Sequence, residues 1–196
     1  MNKPLRRREV VKELLKKRGD MLVVAGLGAP AWDITSAGDH ANNFPLWGAM
    51  GGATMIGLGL ALAQPKRRVL VITGDGEMLM GIGSLATIAV QKPKNLSIVV
   101  LDNEHYGETG MQITHTALGV DLAGMAKAAG FPRTLLGATD KDVQRVKAMI
   151  ESGRGPVFAQ LKVDAEKLPL VLPPREASYI KNRMRISILG PEALHQ

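Results

Sequence analysis

Two apolar runs, each ending in a compact group of glycine and oxygen-bearing residues, constrain this chain more than any other feature. Val69 to Thr73 runs into Gly74-Asp75-Gly76, a helical segment follows, and Ile98 to Leu101 runs into Asp102-Asn103. Runs of this length and composition read as strands buried on both faces, and the helix between them makes the pair a parallel crossover unit. Both strands then bring their oxygen ligands to the C-terminal edge of one sheet, where open α/β sheets bind ligands.

The rest of the pattern agrees. Leu5 to Arg18 carries Val10, Val11, Leu14 and Leu15 at helical spacing and stops at Gly19-Asp20. Met21 to Ala25 reads as a short strand, 32–47 as irregular and polar, and Ala53 to Ala63 as a buried helix whose glycines indicate close packing. A helix over Asp121 to Ala129, a strand near Thr134 to Leu136, a helix over Asp140 to Glu151 and a strand over Val157 to Val163 complete the alternation. Thr139 is placed to cap the helix over Asp140 to Glu151 and Gly153 to stop it. The expectation is a single three-layer α/β/α domain with a mainly parallel sheet. It divides as a basic N-terminal helix (1–20), the domain proper (21–166) and a proline-containing, basic tail (167–196) lying over the domain or a partner.

At 196 residues and 45% hydrophobic content the chain has one soluble domain's worth of core. It has no cysteine, which excludes disulfides, thiolate metal sites and a cysteine nucleophile. The net charge of +7 is concentrated at the ends: eight Lys or Arg stand against Glu9 and Glu13 in the first 18 residues, and five against Glu176 and Glu192 after residue 166. Such ends are open to solvent, to an acidic partner subunit or to nucleic acid. The expectation is a cytoplasmic protein with no nucleic-acid or membrane role, since no secretory signal, presequence or spanning segment is read; the longest apolar tract, Gly48 to Ala63, is too short to span.

Gly26-Leu27-Gly28-Ala29-Pro30-Ala31 satisfies the G-x-G-x-x-G/A dinucleotide pattern, as does Gly81 to Ala86. Against that reading, Pro30 sits where a helix should start, and no second strand ending in an acid arrives about 20 residues later. A metal-diphosphate anchor fits better. One carboxylate and one amide oxygen suit a hard cation such as Mg²⁺, which completes its shell with phosphate oxygens and water. The helix after Gly76 presents its N-terminus to the same place.

The glycine-acid-glycine group, 25 intervening residues, and then Asp102-Asn103 resemble the thiamin-diphosphate motif. The continuation Asp102-Asn103-Glu104-His105-Tyr106-Gly107-Glu108-Thr109-Gly110-Met111-Gln112 is similar to that of the sulfopyruvate and phosphonopyruvate decarboxylase group. The resemblance runs from about residue 20 to 165 and implies a thiamin-diphosphate-binding fold with Mg²⁺.

By position it implies Mg²⁺ ligation by the Asp75 and Asn103 side chains and the His105 carbonyl. It places Gly74, Gly76, Glu77 and Met78 near the diphosphate and Met50 under the bent cofactor, and turns the Gly48 carbonyl to the aminopyrimidine. Gly26 and Gly28 contribute through backbone alone, because Gly26 to Ala29 carries no hydroxyl. Tyr106 and Gly107 count with the cofactor-binding residues, Tyr106 to Gln112 facing substrate and the Tyr106 ring packing. Asp102 replaces the more general first asparagine. Glu77 replaces a small or hydroxyl residue, so its carboxylate is expected to turn away from the diphosphate. His115 is the candidate catalytic residue, for binding a substrate anion or shuttling protons; a surface role is its alternative, and His40 is a weaker candidate.

The resemblance also implies a second domain whose glutamate activates the cofactor. Too few residues precede Met21 to hold it, so the expectation is an α-type partner subunit within a homo-dimer or larger hetero-oligomer. The implied reaction is cofactor-dependent decarboxylation of a small 2-oxo acid to an aldehyde and CO2. The alternatives are the cofactor subunit of a 2-oxo acid oxidoreductase or carboligating synthase, and a non-catalytic cofactor-binding module.

Overall fold

In the computed structural model, which describes residues 3–195, the strands are β1 (Leu22–Ala25), β2 (Asn43–Pro45), β3 (Val69–Gly74), β4 (Leu96–Asp102), β5 (His105–Tyr106), β6 (Gln112–Ile113), β7 (Arg133–Gly137) and β8 (Val157–Lys162). Six of them form one sheet in the order β2-β1-β3-β4-β8-β7, with every neighbouring pair parallel. The antiparallel pair β5-β6 is a hairpin beyond the end of β4. Met1, Asn2 and Gln196, which belong to the two end segments read from the sequence, lie outside the described residues.

The helices are α1 (Arg7–Leu15), α2 (Ala29–Ser36), α3 (Ala53–Ala63), α4 (Asp75–Met80), α5 (Ser84–Gln91), α6 (Leu122–Ala129), α7 (Asp140–Glu151) and α8 (Ala177–Leu189). One face of the sheet packs against α1, α2 and α7 through Val10, Leu14, Ile34, Val143 and Val146. The other packs against α3, α5 and α6 through Leu58, Ile88, Leu122 and Ala126. Strands covered on both faces need apolar side chains at every position, which is why β3 and β4 read as unbroken runs rather than alternations. The fold is the expected three-layer α/β/α arrangement.

The winding of the sheet locates its crevice. From β1 the chain leaves through α2 to reach β2 on one side, and from β3 it leaves through α4 and α5 to reach β4 on the other. The connections diverge between β1 and β3, and a gap opens there at the C-terminal edge. The β3-β4 register pairs Gly74 with Leu101, so the next residues, Asp75 and Asp102, arrive side by side.

Three local expectations need correction. The stretch 32–47 is not irregular: it holds most of α2 and all of β2. Pro30 lies in the first turn of α2, where its missing N–H costs nothing, so it starts the helix instead of preventing it. The N-terminal helix ends at Leu15 instead of Arg18, because Lys16 is extended and Lys17 takes φ 60°.

The tail folds back on the domain. Its helix α8 runs along the edge strand β2, with Arg183 Nη1 donating to Asp39 Oδ2 (2.6 Å) and Ser187 Oγ donating to Asn42 Oδ1 (2.5 Å). Trp47 Nε1 donates to the Pro174 carbonyl at 2.7 Å. No helix among the described residues is long and apolar enough to cross a membrane.

The glycines of α3 are a packing requirement. A Cβ on Gly57 would stand 2.3 Å from Cγ2 of Val71, a fully buried branched side chain of β3. Gly57→Val is therefore expected to cost about 2–3 kcal/mol by overpacking, seen as a lower urea midpoint with an unchanged m-value.

Candidate functional site

The crevice between β1 and β3 is a cavity of about 210 Å³ at the C-terminal edge. Its walls include Leu27, Ala29 and Pro30 after β1, Gly74 to Glu77 after β3, Asn103 after β4, and His105 to Thr109 from the hairpin. Met50 and Met80 stand at its rim, 37% and 58% exposed.

Asp75 opens α4 and is almost fully buried. Its Oδ2 accepts from Thr114 Oγ1 and from Thr116 Oγ1 (3.1 Å), and no other side-chain donor among the described residues reaches its Oδ1. The Thr116 hydroxyl also stands 2.7 Å from Asp102 Oδ1, and the two threonine hydroxyls lie 2.9 Å apart. Two hydroxyl protons thus serve three contacts with carboxylate oxygens, which leaves Asp75 short of positive charge. Burial accordingly raises the Asp75 pKa above its ordinary value and the neighbouring Asp102 carboxylate adds to the shift, against the two threonine hydrogen bonds.

Asp102 is fully buried and fully partnered. Oδ2 accepts from Gln160 Nε2 (2.6 Å) and faces Lys162 Nζ at 2.9 Å, while Oδ1 also accepts from the Glu104 N–H (3.1 Å). Lys162 reaches Glu104 Oε1 as well, at 2.5 Å. The register explains the set: Asp102 pairs with Lys162 and Val100 with Gln160 across β4 and β8. An amide at 102 would need no cation; the carboxylate found there has Lys162.

Asn103 Oδ1 accepts from the His105 N–H at 3.1 Å, and His105 Nδ1 lies 2.8 Å from the Asn103 carbonyl. This tight turn sets Asn103 and His105 on the cavity wall beside Asp75. Among the described residues no group of three or more acids, histidines or cysteines could hold a metal. A cation here would rest on one carboxylate, one amide oxygen and one backbone carbonyl, the hard oxygen set that suits Mg²⁺.

Close backbone approach shapes the remaining walls. A Cβ on Gly26 would fall 1.6 Å from Glu77 Oε2, and one on Gly76 would fall 2.4 Å from the Tyr106 ring. Glu77 is buried under the Gly26 turn and its Oε2 accepts from Thr73 Oγ1 at 2.8 Å, while its Oε1 has no hydrogen-bond partner among the described residues. Burial raises its pKa, opposed by Thr73 and by the Gly51 and Ala53 N–H groups, which face it without meeting hydrogen-bond geometry. A Cβ on Gly81 would stand 2.2 Å from the Gly51 carbonyl oxygen, so backbone-to-backbone packing fixes the Met50 segment against the end of α4.

Of the residues expected at the site, Gly74, Asp75, Gly76, Glu77, Met50, Asn103, His105, Tyr106 and Gly107 line the cavity. Gly26 and Gly28 belong to the turn whose Leu27 lines it. The Met78 side chain is instead in the core, Gly48 is exposed away from the lining, and His115 is exposed in the turn His115–Leu118 outside it. His40 accepts the Asn42 N–H on Nδ1 at 3.0 Å and serves a turn.

The sequence reading passed over Thr114, Thr116, Gln160, Lys162 and Arg7. Two signals pointed to the first four: threonines two apart straight after the hairpin, and polar residues two apart in the otherwise apolar β8.

Residues 27–161 match the family model described as "Thiamine pyrophosphate enzyme, C-terminal TPP binding domain". The chain is 42% identical over 159 residues to the sulfopyruvate decarboxylase subunit beta of Methanothermobacter thermautotrophicus, covering 81% of this chain and 82% of that one. It is 34% identical to the phosphonopyruvate decarboxylase of Streptomyces viridochromogenes over 89% of its own length but only 44% of the relative's. Among solved structures, the benzoylformate decarboxylase of Polynucleobacter necessarius superposes with a TM-score of 0.67 at 19% identity, over 85% of this chain and 34% of that chain.

Lys162→Met removes the cation beside a buried carboxylate and is expected to cost about 1–3 kcal/mol in urea titration; adding Asp102→Asn should restore most of it. Asp75 has the opposite sign. A carboxyl whose pKa is higher folded than unfolded adds stability that is complete below the unfolded value near 3.8 and lost as pH rises through the raised folded value. Asp75→Asn is therefore expected to melt above the parent at pH 7 and no higher than it at pH 3.

Proposed function

The chain belongs to the thiamine pyrophosphate enzymes, through their C-terminal TPP binding domain, and on that premise we propose that it is the cofactor-binding subunit of a 2-oxo acid decarboxylase. The proposed substrate is an anionic 2-oxo acid of the 3-sulfopyruvate or phosphonopyruvate type, converted to an aldehyde and CO2. The observation that carries this reading is the meeting of Asp75, Asn103 and the His105 turn on one cavity wall at the sheet's winding reversal.

In this reading Asp75 and Asn103 hold Mg²⁺ through their side chains and His105 through its carbonyl. The backbone around Gly26, Gly28, Gly74, Gly76, Glu77 and Met78 faces the diphosphate, with the N-termini of α2 and α4 favouring its negative charge. Met50 supports the bent cofactor from the rim, and Gly48 offers its carbonyl to the aminopyrimidine. Thiamin diphosphate, when bound, supplies the electron sink for loss of CO2. The chain's own part is to hold that group, orient it and keep its carboxylates in place: Thr114 and Thr116 fix the Asp75 rotamer, as outer-shell donors do for metal ligands. Glu77, turned under Gly26, keeps a second anion off the diphosphate.

The division into an end helix (1–20), a cofactor domain (21–166) and a tail packed on that domain (167–196) is part of the proposal. So is an α-type partner subunit supplying the activating glutamate. Two observations support a partner: the methanogen relative is named a subunit beta, and exposed apolar side chains stand at the rim of the cavity (Met50, Met80) and on the hairpin whose other residues line it (Met111, Ile113), the kind of surface interfaces cover.

Calorimetry on the purified chain is expected to show thiamin diphosphate binding that needs Mg²⁺ and is abolished by EDTA; absence of any such binding would sink the reading. Asp75→Asn should weaken it by at least the roughly 10- to 100-fold that loss of an outer-shell partner costs. Because the cation competes with a proton held more tightly than usual, the parent's affinity should fall as pH drops, with onset above the ordinary aspartate value of 3.8. Decarboxylation of 3-sulfopyruvate is expected only after co-expression with the α-type subunit. Turnover by this chain alone would overturn the two-subunit proposal.

A further inference from the structure

Arg7 belongs to the basic N-terminal helix, yet it is 9% exposed and lines the cavity between β1 and β3. It is the single cation among the described lining residues, which also include the acids Asp75, Glu77 and Glu108. Its place is rigid. Leu5 bridges to Val163, the Asp164 N–H donates to the Leu5 carbonyl at 2.8 Å, and Arg6 pairs with Glu166 at 2.8 Å, so the start of α1 is tied to the end of β8.

Asp33 of α2 is fully buried and serves two guanidinium groups. Its Oδ2 accepts from Arg7 Nη1 and its Oδ1 from Arg8 Nε, both at 3.1 Å, and Arg8 Nη2 also donates to the Pro169 carbonyl at 2.7 Å. One carboxylate with two cations leaves a surplus positive charge. Arg8 alone would leave Asp33 paired, so neutralising Asp33 does not require Arg7. A guanidinium carries five N–H donors, and among the described residues Arg7 has a single hydrogen bond, from Nη1. Its Nε and Nη2 donors have no protein partner recorded there. Neither is among the side-chain nitrogens fully shut off from solvent, so both stay open to the cavity and to a ligand within it.

We propose that Arg7 is an anion-binding side chain of the cavity, taking the oxygens of a phosphate or sulfonate group through its free donors. Planar guanidinium donors suit such groups. Ala29 and Pro30, the first residues of α2, line the cavity with it, and that helix has no side-chain cap on its N–H groups. The inference rests on the proposed function, from which two sources of the anion follow: the cofactor's diphosphate and an acidic 2-oxo acid.

The test uses the whole chain with magnesium pyrophosphate as probe in calorimetry, comparing the parent, Arg7→Gln and Arg7→Lys. Arg8 still pairs Asp33 in each variant, and thermal melting checks the fold. If the diphosphate is the anion, Arg7→Gln loses about 10- to 100-fold in affinity, the range for a hydrogen bond to a charged group, and Arg7→Lys loses less. If the substrate supplies it, pyrophosphate binding is unchanged, and the KM of the co-expressed pair for 3-sulfopyruvate rises by a similar factor while that for pyruvate does not. Variants that change neither overturn the inference and leave the proposed function standing. A parent chain that binds no magnesium pyrophosphate overturns both. Should Arg7→Gln not fold, Arg7→Lys, which keeps the charge and loses the fork, decides by the same readings.

Discussion

Two carboxylates buried side by side, Asp75 and Asp102, share the hydroxyl of Thr116, and much of this site follows from how their charge is managed. Parallel pairing of β3 with β4 puts them together, and the solvent that would ordinarily screen them is excluded. On one side the problem is closed by protein: Lys162 and Gln160 reach Asp102 from the adjacent strand. On the other side Asp75 is left with hydroxyls, which orient a carboxylate without neutralising it. The asymmetry divides the roles. Asp102 is a structural anion, complete within the chain, and Asp75 is left without a cation of the chain's own, as the proposed metal site requires.

Around that pair, the walls depend on close approach of glycine backbone. Gly51 against Gly81 brings the Met50 segment to the rim, and Gly26 over Glu77 keeps the first turn low above the edge of the sheet. The Gly51-Gly81 contact is backbone on both sides and cannot be relieved by a rotamer change, whereas the Gly26 turn rests on the Glu77 carboxylate, so the cavity's outline is held partly by the main chain and partly by one buried side chain. The hairpin between them differs in kind. Its two-residue strands pair only with each other, and its tip, Gly107 to Met111, is exposed.

Much of this was legible in the amino-acid sequence because burial on two faces leaves a one-dimensional trace. The apolar runs announced β3 and β4, their closing residues announced Asp75 and Asn103, and the spacing between them carried the family resemblance. What stayed hidden depends on contacts between distant segments. Lys162 is 60 residues from Asp102 in the chain, and a single polar residue near the end of a strand looks like a strand boundary. Thr114 and Thr116 flank a histidine whose residue type alone suggests chemistry, yet the hydroxyls are inside and the imidazole outside. Arg7 read as one charge in a solvated basic run; only the packing of α1 against α2 turns it inward. The error over 32–47 has a similar source: β2 is three residues long and α2 starts at a proline, so neither is long enough to impose a period.

The helix laid along β2 also bears on how this molecule can associate. A parallel sheet has two margins at which another strand could add, and α8 occupies one of them. With only the β7 side left, strand addition can join two copies and then stops, because neither has a second margin to offer. Growth into a continuous ribbon is closed to this fold as long as the tail stays in place, and larger assemblies must be built through helical faces and loops.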